Sequence, residues 1–204
     1  MIELIKDKWT IVIVGGWNPA IFNTPWLKKN LFNDPEIIIE VGLEPGLPRR
    51  ITGDKVLIIP TDSRIIFAPV DLNDENILRV EQVAIKTLEL LNQTPINAVG
   101  VNFGYKVRPL TEYLQDKLPI ILGEKLADEK LIVTKREYKW SSPFEDGILN
   151  TDVKITGEEA EISFNFNMGS SEIDAAIKYL KDKVISNRDK TRFVLANVFN
   201  LNIE

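Results

Sequence analysis

The chain has 204 residues, 44% hydrophobic and 27% charged, which suits a folded chain able to bury a substantial apolar core. It holds neither cysteine nor histidine, so disulfides, thiolate nucleophiles, zinc–thiolate sites and every histidine-based catalytic arrangement are excluded. A net charge of −5 provides no broad positive field for a phosphate backbone and argues against nucleic acid as the partner.

No apolar run nears the roughly 20 residues that cross a bilayer, and the opening Met1-Ile2-Glu3-Leu4-Ile5-Lys6-Asp7-Lys8 lacks the apolar stretch of a signal peptide. The expectation is a cytoplasmic protein with no membrane partner. Any active site would have to be assembled from carboxylates, Lys, Arg, Tyr, Ser or Thr. The residue set points instead to a non-catalytic chain with no cofactor and no metal.

Residues 9–15 form a β-branched run that ends at Gly15-Gly16, the pattern of a buried strand. Pro19 keeps Asn18 out of the helical region, so a loop follows. Thr24-Pro25, a hydroxyl cap before proline, opens a short helix over 26–32 that ends before Pro35. Strands are expected at 36–43, 55–59 and 64–70. A loop at Pro45-Gly46-Leu47-Pro48 precedes the second, and a tight turn at Pro60-Thr61-Asp62-Ser63 joins the last two. Asn73 or Asp74 caps a long helix to about Asn92. Ile77, Val80, Ala84, Leu88 and Leu91 form its buried stripe, and Glu75, Glu81 and Glu89 its wet face.

The second half begins near Pro95. Residues 97–107 alternate, with Val99, Val101, Phe103, Tyr105 and Val107 on one face and Ala98, Gly100, Asn102 and Gly104 on the other. That small face would admit close approach of a helix. A short helix over 109–118 and strands at 131–140, 147–156 and 160–168 follow. Gly157-Glu158-Glu159 turns the final hairpin, and Ile162, Phe164, Phe166 and Met168 point inward. Ser171 with Asp174 resembles a capping box for a helix to about 185. A polar break at 186–190 precedes an apolar segment, 192–201, whose type the pattern leaves open.

One order of elements thus occurs twice, in halves of about 1–94 and 95–204. A shift of 88 residues lays Gly16-Trp17 on Gly104-Tyr105 and the first short helix on the second. The expected fold is α+β: a single pseudo-symmetric domain of two βαβββα halves, with curved antiparallel sheets each covered by a long helix. In layout this order resembles the duplicated saddle of TATA-box-binding proteins over about residues 9–185, and it is similar to prokaryotic proteins of unassigned function. No motif of the saddle family is matched, so the resemblance implies a fold and carries over no binding residue.

Several constellations suggest chemistry. Gly15-Gly16-Trp17-Asn18-Pro19 follows a strand, but it lacks both G-x-G-x-x-G and a Gly-Lys-Ser/Thr, and a tight strand exit that packs Trp17 explains it. The acidic run from Asp71 to Asn76 begins like a calcium loop, yet Asn76 and Gln82 stand where Gly and Glu are required. Arg49, Arg50 and Arg64, with Lys135 and Arg136, could gather as an anion patch. Lys178, Lys181, Lys183, Arg188, Lys190 and Arg192 read as a salt-bridged wet face. Trp17, Trp26, Trp140 and Phe144, with Phe22, are candidates for an apolar patch that a partner covers. The functional expectation is a protein-interaction or assembly module acting on a protein partner or as a homo-oligomer. The alternative is a small-molecule or nucleotide-binding protein with a groove between sheet and helix.

Overall fold

The structure is a computed structural model and describes residues 1–32, 36–42, 44, 46–120 and 123–203. It is an α+β fold in which ten strands join one antiparallel sheet. In chain order the strands are β1 (Ile2–Leu4), β2 (Thr10–Gly15), β3 (Ile38–Glu40), β4 (Arg50–Gly53), β5 (Val56–Pro60), β6 (Arg64–Pro69), β7 (Ile96–Val107), β8 (Lys135–Phe144), β9 (Gly147–Thr156) and β10 (Glu159–Gly169). Across the sheet they run β3-β4-β5-β6-β2-β7-β10-β9-β8, and β1 lies beside β7 in line with β2. The helices are α1 (Thr24–Asn30), α2 (Asp74–Leu90), α3 (Glu112–Lys117), α4 (Gly123–Asp128), α5 (Ile173–Leu180) and α6 (Val184–Asn197). Among the described residues no helix is long and apolar enough to cross a membrane.

Period-two patterning sets the central strands. Val99, Val101, Phe103, Tyr105 and Val107 of β7 are buried, as are Ile162, Phe164, Phe166 and Met168 of β10. Phe103 faces Phe164 across the ladder, and Val101 faces Phe166. Trp9 meets Phe103 edge-on at 5.1 Å, and its indole N–H donates to the Gly104 carbonyl at 3.1 Å. α2 packs on β2, β5 and β6, while α5 and α6 pack on α2 and β7. Among the described residues, buried side chains from both halves form one cluster.

Turn chemistry behaves as its residues require. The Thr61 hydroxyl accepts from Arg64 N–H at 3.1 Å in the β5–β6 turn, and Gly157 sits at φ +56° between β9 and β10. Gly15 has no room for a side chain, because a Cβ there would come within 2.5 Å of the Pro95 carbonyl oxygen. That contact accounts for Gly15 at the β2 exit.

Several expectations need correction. The first half holds two strands beyond those expected, β1 beside β7 and β4, which leaves Ile51 buried between β3 and β5. The strand expected at 36–43 is only Ile38–Glu40, and Pro35, Leu43 and Pro45 lie outside the described residues. The strand expected at 131–140 runs instead over Lys135–Phe144, leaving Leu131, Ile132 and Val133 exposed outside it. Asn23, not Thr24, caps α1, its side chain accepting from Trp26 N–H at 3.1 Å. Asn73 caps α2 through Asn76 N–H at 2.9 Å. The Ser171–Asp174 capping box does not form; the Ser170 hydroxyl accepts from Glu172 N–H instead, at 3.0 Å.

The last helix is two helices. The chain breaks after Leu180, with Asp182 at φ +60°, and α6 then runs straight through the polar stretch at 186–190. Glu81 explains the break. Although expected on a wet face, it is buried, and its carboxylate accepts from Asp182 N–H and Val184 N–H, both at 2.9 Å. A carboxylate from α2 thus satisfies amides at the start of α6 that no earlier turn can reach. Arg188, placed on the wet face by its spacing, is also buried and pairs with Asp74 and Asp189. Those contacts hold Asp74 below the usual carboxylate range, chiefly through the hydrogen bond from Arg188.

Candidate functional site

Alternation leaves the sheet a second face. On its β8, β9, β10 and β7 side this face carries Lys139, Ser141, Asn150, Asp152, Ser163, Asn165 and Asn102, all half-buried or exposed. On its β2 to β5 side it carries Val12, Val14, Ile66, Ile59 and Leu57. One half is an amide-rich polar field and the other is aliphatic.

Register converts the polar half into an ordered array. Ser141 stands opposite Asn150, Asn150 opposite Asn165, Asn165 opposite Asn102, and Asn102 opposite Thr10. The Ser141 hydroxyl donates to the Asn150 Oδ1 at 2.7 Å, and the Asn150 Nδ2 donates to Asn165 Oδ1 at 3.0 Å. Asn165 Nδ2 donates to Asn102 Oδ1 at 2.7 Å, and Asn102 Nδ2 to the Thr10 hydroxyl at 3.0 Å. All four bonds run in one direction across five strands, so each amide polarises the next. Asn150 and Asn165 each keep a second N–H that the row does not use, while Asn102 Nδ2 also reaches the Thr10 carbonyl at 3.5 Å.

The turn at Lys6–Lys8, between β1 and β2, crosses this face. The missing side chain of Gly104 makes room for it: a Cβ there would meet the Lys8 Cβ at 2.5 Å. The small face of β7 therefore receives a lysine, and the helices contact the sheet on the opposite side. Lys8 pairs with Glu161 and donates to the Ser163 hydroxyl at 3.2 Å. Two depressions flank the turn, and Asp7 and Thr10 line both. One, of about 530 Å³, lies over the amide row and includes Lys139 and Asp152. The other, of about 500 Å³, lies over Leu57, Ile59, Ile66 and Arg50. Beneath α2, the space bounded by Trp9, Ile77, Val80 and Val184 amounts to about 10 Å³, room for at most one water.

The residues singled out by sequence fall into separate neighbourhoods. Trp17 is buried, its indole N–H donating to the Ile13 carbonyl at 3.1 Å. Trp26 is half-buried and packs at 5.3 Å on Phe22, which is fully buried. Phe144 packs on Phe166 at 5.1 Å. Trp140, 42% exposed, stacks on Tyr138 at 6.3 Å and tilts against Phe199. Arg49 donates to the Pro19 carbonyl at 2.6 Å, Arg50 lies 3.4 Å from Glu40, and Arg64 is exposed at the start of β6. Lys135 pairs with Glu137 at 2.8 Å on β8, at the far side of the sheet from β4. The five basic residues do not gather in one place.

Sequence reasoning passed over Asn102, Asn150 and Asn165. Each was legible as the polar member of an alternating strand, but only register places them side by side. Among the described residues no group of three or more Asp or Glu is arranged to hold a metal ion. Compared with protein-family models and with curated proteins, the chain matches none.

Proposed function

We propose that this chain is a non-catalytic protein-interaction module whose working surface is the face of the sheet that carries the amide row. The supporting observation is the hydrogen-bonded series Ser141–Asn150–Asn165–Asn102–Thr10, held in one direction on the half-buried face. Ordering these side chains costs rotamer entropy, and the row is pre-organised to meet a partner. Its spare amide N–H groups suit backbone carbonyls and uncharged polar side chains. The adjoining aliphatic half, including Val12, Val14 and Ile66, suits an apolar strip on the same partner. The partner that fits is therefore an extended protein segment, apolar at one end and rich in hydrogen-bond acceptors at the other.

The duplication belongs to the same proposal. Reading outward from the central β2–β7 pair, the order β2-β6-β5-β4 mirrors β7-β10-β9-β8, and each side is followed in the chain by helix. This mirror order supports two related halves and a layout like the TATA-box-binding saddle, acting here on protein. The cytoplasm is the proposed location.

A photo-crosslinking residue placed at Asp152 or Leu57, with Leu78 on α2 as the control, tests the assignment. The expected result is one partner species trapped from both sheet positions and not from the helix, and lost when Asn102→Arg is added. Equal labelling from Leu78, or none from the sheet, would refute it.

A further inference from the structure

The sheet ends at β8, a strand of ten residues with no strand on its outer side among the described residues. A long free edge is a template for pairing. The β8–β9 connection has two residues, Glu145 and Asp146, so the closing pair Phe144–Gly147 exchanges hydrogen bonds. By alternation, Arg136, Tyr138, Trp140 and Ser142 bond to β9, and the peptide groups of Glu137, Lys139 and Ser141 point outward. Pro143 also points outward, where its missing N–H costs nothing.

Apolar side chains collect at this edge. Leu131, Ile132 and Val133 precede β8 with Ile132 88% exposed, and Trp140 lies within it. Arg136 adds a second anomaly: its Nε is shielded from solvent without a hydrogen-bond partner.

We infer that β8 is a self-association edge, pairing antiparallel with β8 of a second copy about a two-fold axis at Tyr138. Register singles out this centre. In a two-fold ladder each residue must face one of the same outward or inward sense, so the axis passes through a residue. Centring on Glu137 or Lys139 sets like charges face to face, and centring on Trp140 leaves Glu137 opposite Pro143. Centring on Tyr138 places Glu137 against Lys139 of the second copy, twice, with both pairs exchanging backbone hydrogen bonds. On the other side of the strand the same register sets Arg136 against Trp140, a cation–π pairing for the guanidinium. Leu131, Ile132 and Val133 then lie along the second copy's Pro143 and Phe144.

This deepens the interaction reading given above, resting on it only in that the chain works through its sheet, and it uses the edge of β8 where that reading uses the face, with Lys139 common to both. Sedimentation of the purified full chain over micromolar concentrations tests it. The parent protein is expected to dimerise, and Lys139→Glu to weaken the dimer on the order of tenfold or more, about 1.4 kcal/mol. The exchanged pair Glu137→Lys with Lys139→Glu should restore it to within a few-fold. Because the chain has no cysteine, Tyr138→Cys should form a disulfide-linked dimer under mild oxidation, the facing Cα atoms of such a pair lying about 4.5 Å apart. Circular dichroism of each variant separates lost pairing from lost folding. A parent that stays monomeric, a dimer indifferent to Lys139→Glu, or a folded Tyr138→Cys protein that does not cross-link would overturn the inference. A monomer would leave the crosslinking test on Asp152 and Leu57 untouched, so the two readings fail separately.

Discussion

Glu81 joins three helices, and removing it isolates one interaction. In Glu81→Ala the N–H groups of Asp182 and Val184 lose their acceptors at 2.9 Å. The Val184 amide is buried, so an unpaired donor there costs about 1–3 kcal/mol. The Asp182 amide is only partly buried and recovers some hydration, which keeps its share to about 1 kcal/mol. The negative charge at the start of α6 is worth about 0.3–1 kcal/mol more. The sum is a loss of about 2–5 kcal/mol, a large fraction of the 5–15 kcal/mol typical of a folded domain. Glu81→Gln keeps the volume and one acceptor oxygen and should lose less than half as much. Urea unfolding followed by tryptophan fluorescence, with a shared slope for all three proteins, measures both. A Glu81→Ala protein within about 0.5 kcal/mol of the parent would mean that water or a shifted α6 replaces the carboxylate, and the reasoning would fail.

Two further outcomes are expected. Phe164 and Phe166 are fully buried beneath the helices, so replacing either by Ala should cost about 3–5 kcal/mol in the same unfolding assay, and a loss below about 1 kcal/mol would contradict their packing. Burial, with a smaller contribution from Glu145, raises the Tyr179 phenol to about 12, and burial raises Tyr105 as well. The folded state therefore holds these protons more tightly than the unfolded chain, and stability falls as pH rises from about 10 toward 12. Unfolding midpoints across that range should drop in the parent and drop less in Tyr179→Phe, with tyrosinate absorbance marking the titration.

Residues 97–107 and 160–168 were legible because one strand's alternation already separates a buried face from an open one, and neighbours along the chain carry all of that information. The hairpin turns at residues 61–63 and 157–158 were legible for the same local reason. β4 was not, because Arg50, Ile51, Thr52 and Gly53 make a strand only when β3 and β5 supply hydrogen bonds on both sides. Glu81 and Arg188 look solvated on a helical wheel, since a wheel cannot show that another helix end, or Asp74, waits opposite. The tryptophans separated for a like reason: composition counts four, but packing buries Trp9 and Trp17 at either end of β2 and leaves Trp140 on the edge strand β8. The amide row goes furthest in this direction. Sequence alone determined that Asn102, Asn150 and Asn165 lie on polar faces, because period two is a property of each strand. Only tertiary structure decided that they touch, because register comes from how the β7, β9 and β10 cores interlock on the other side of the sheet.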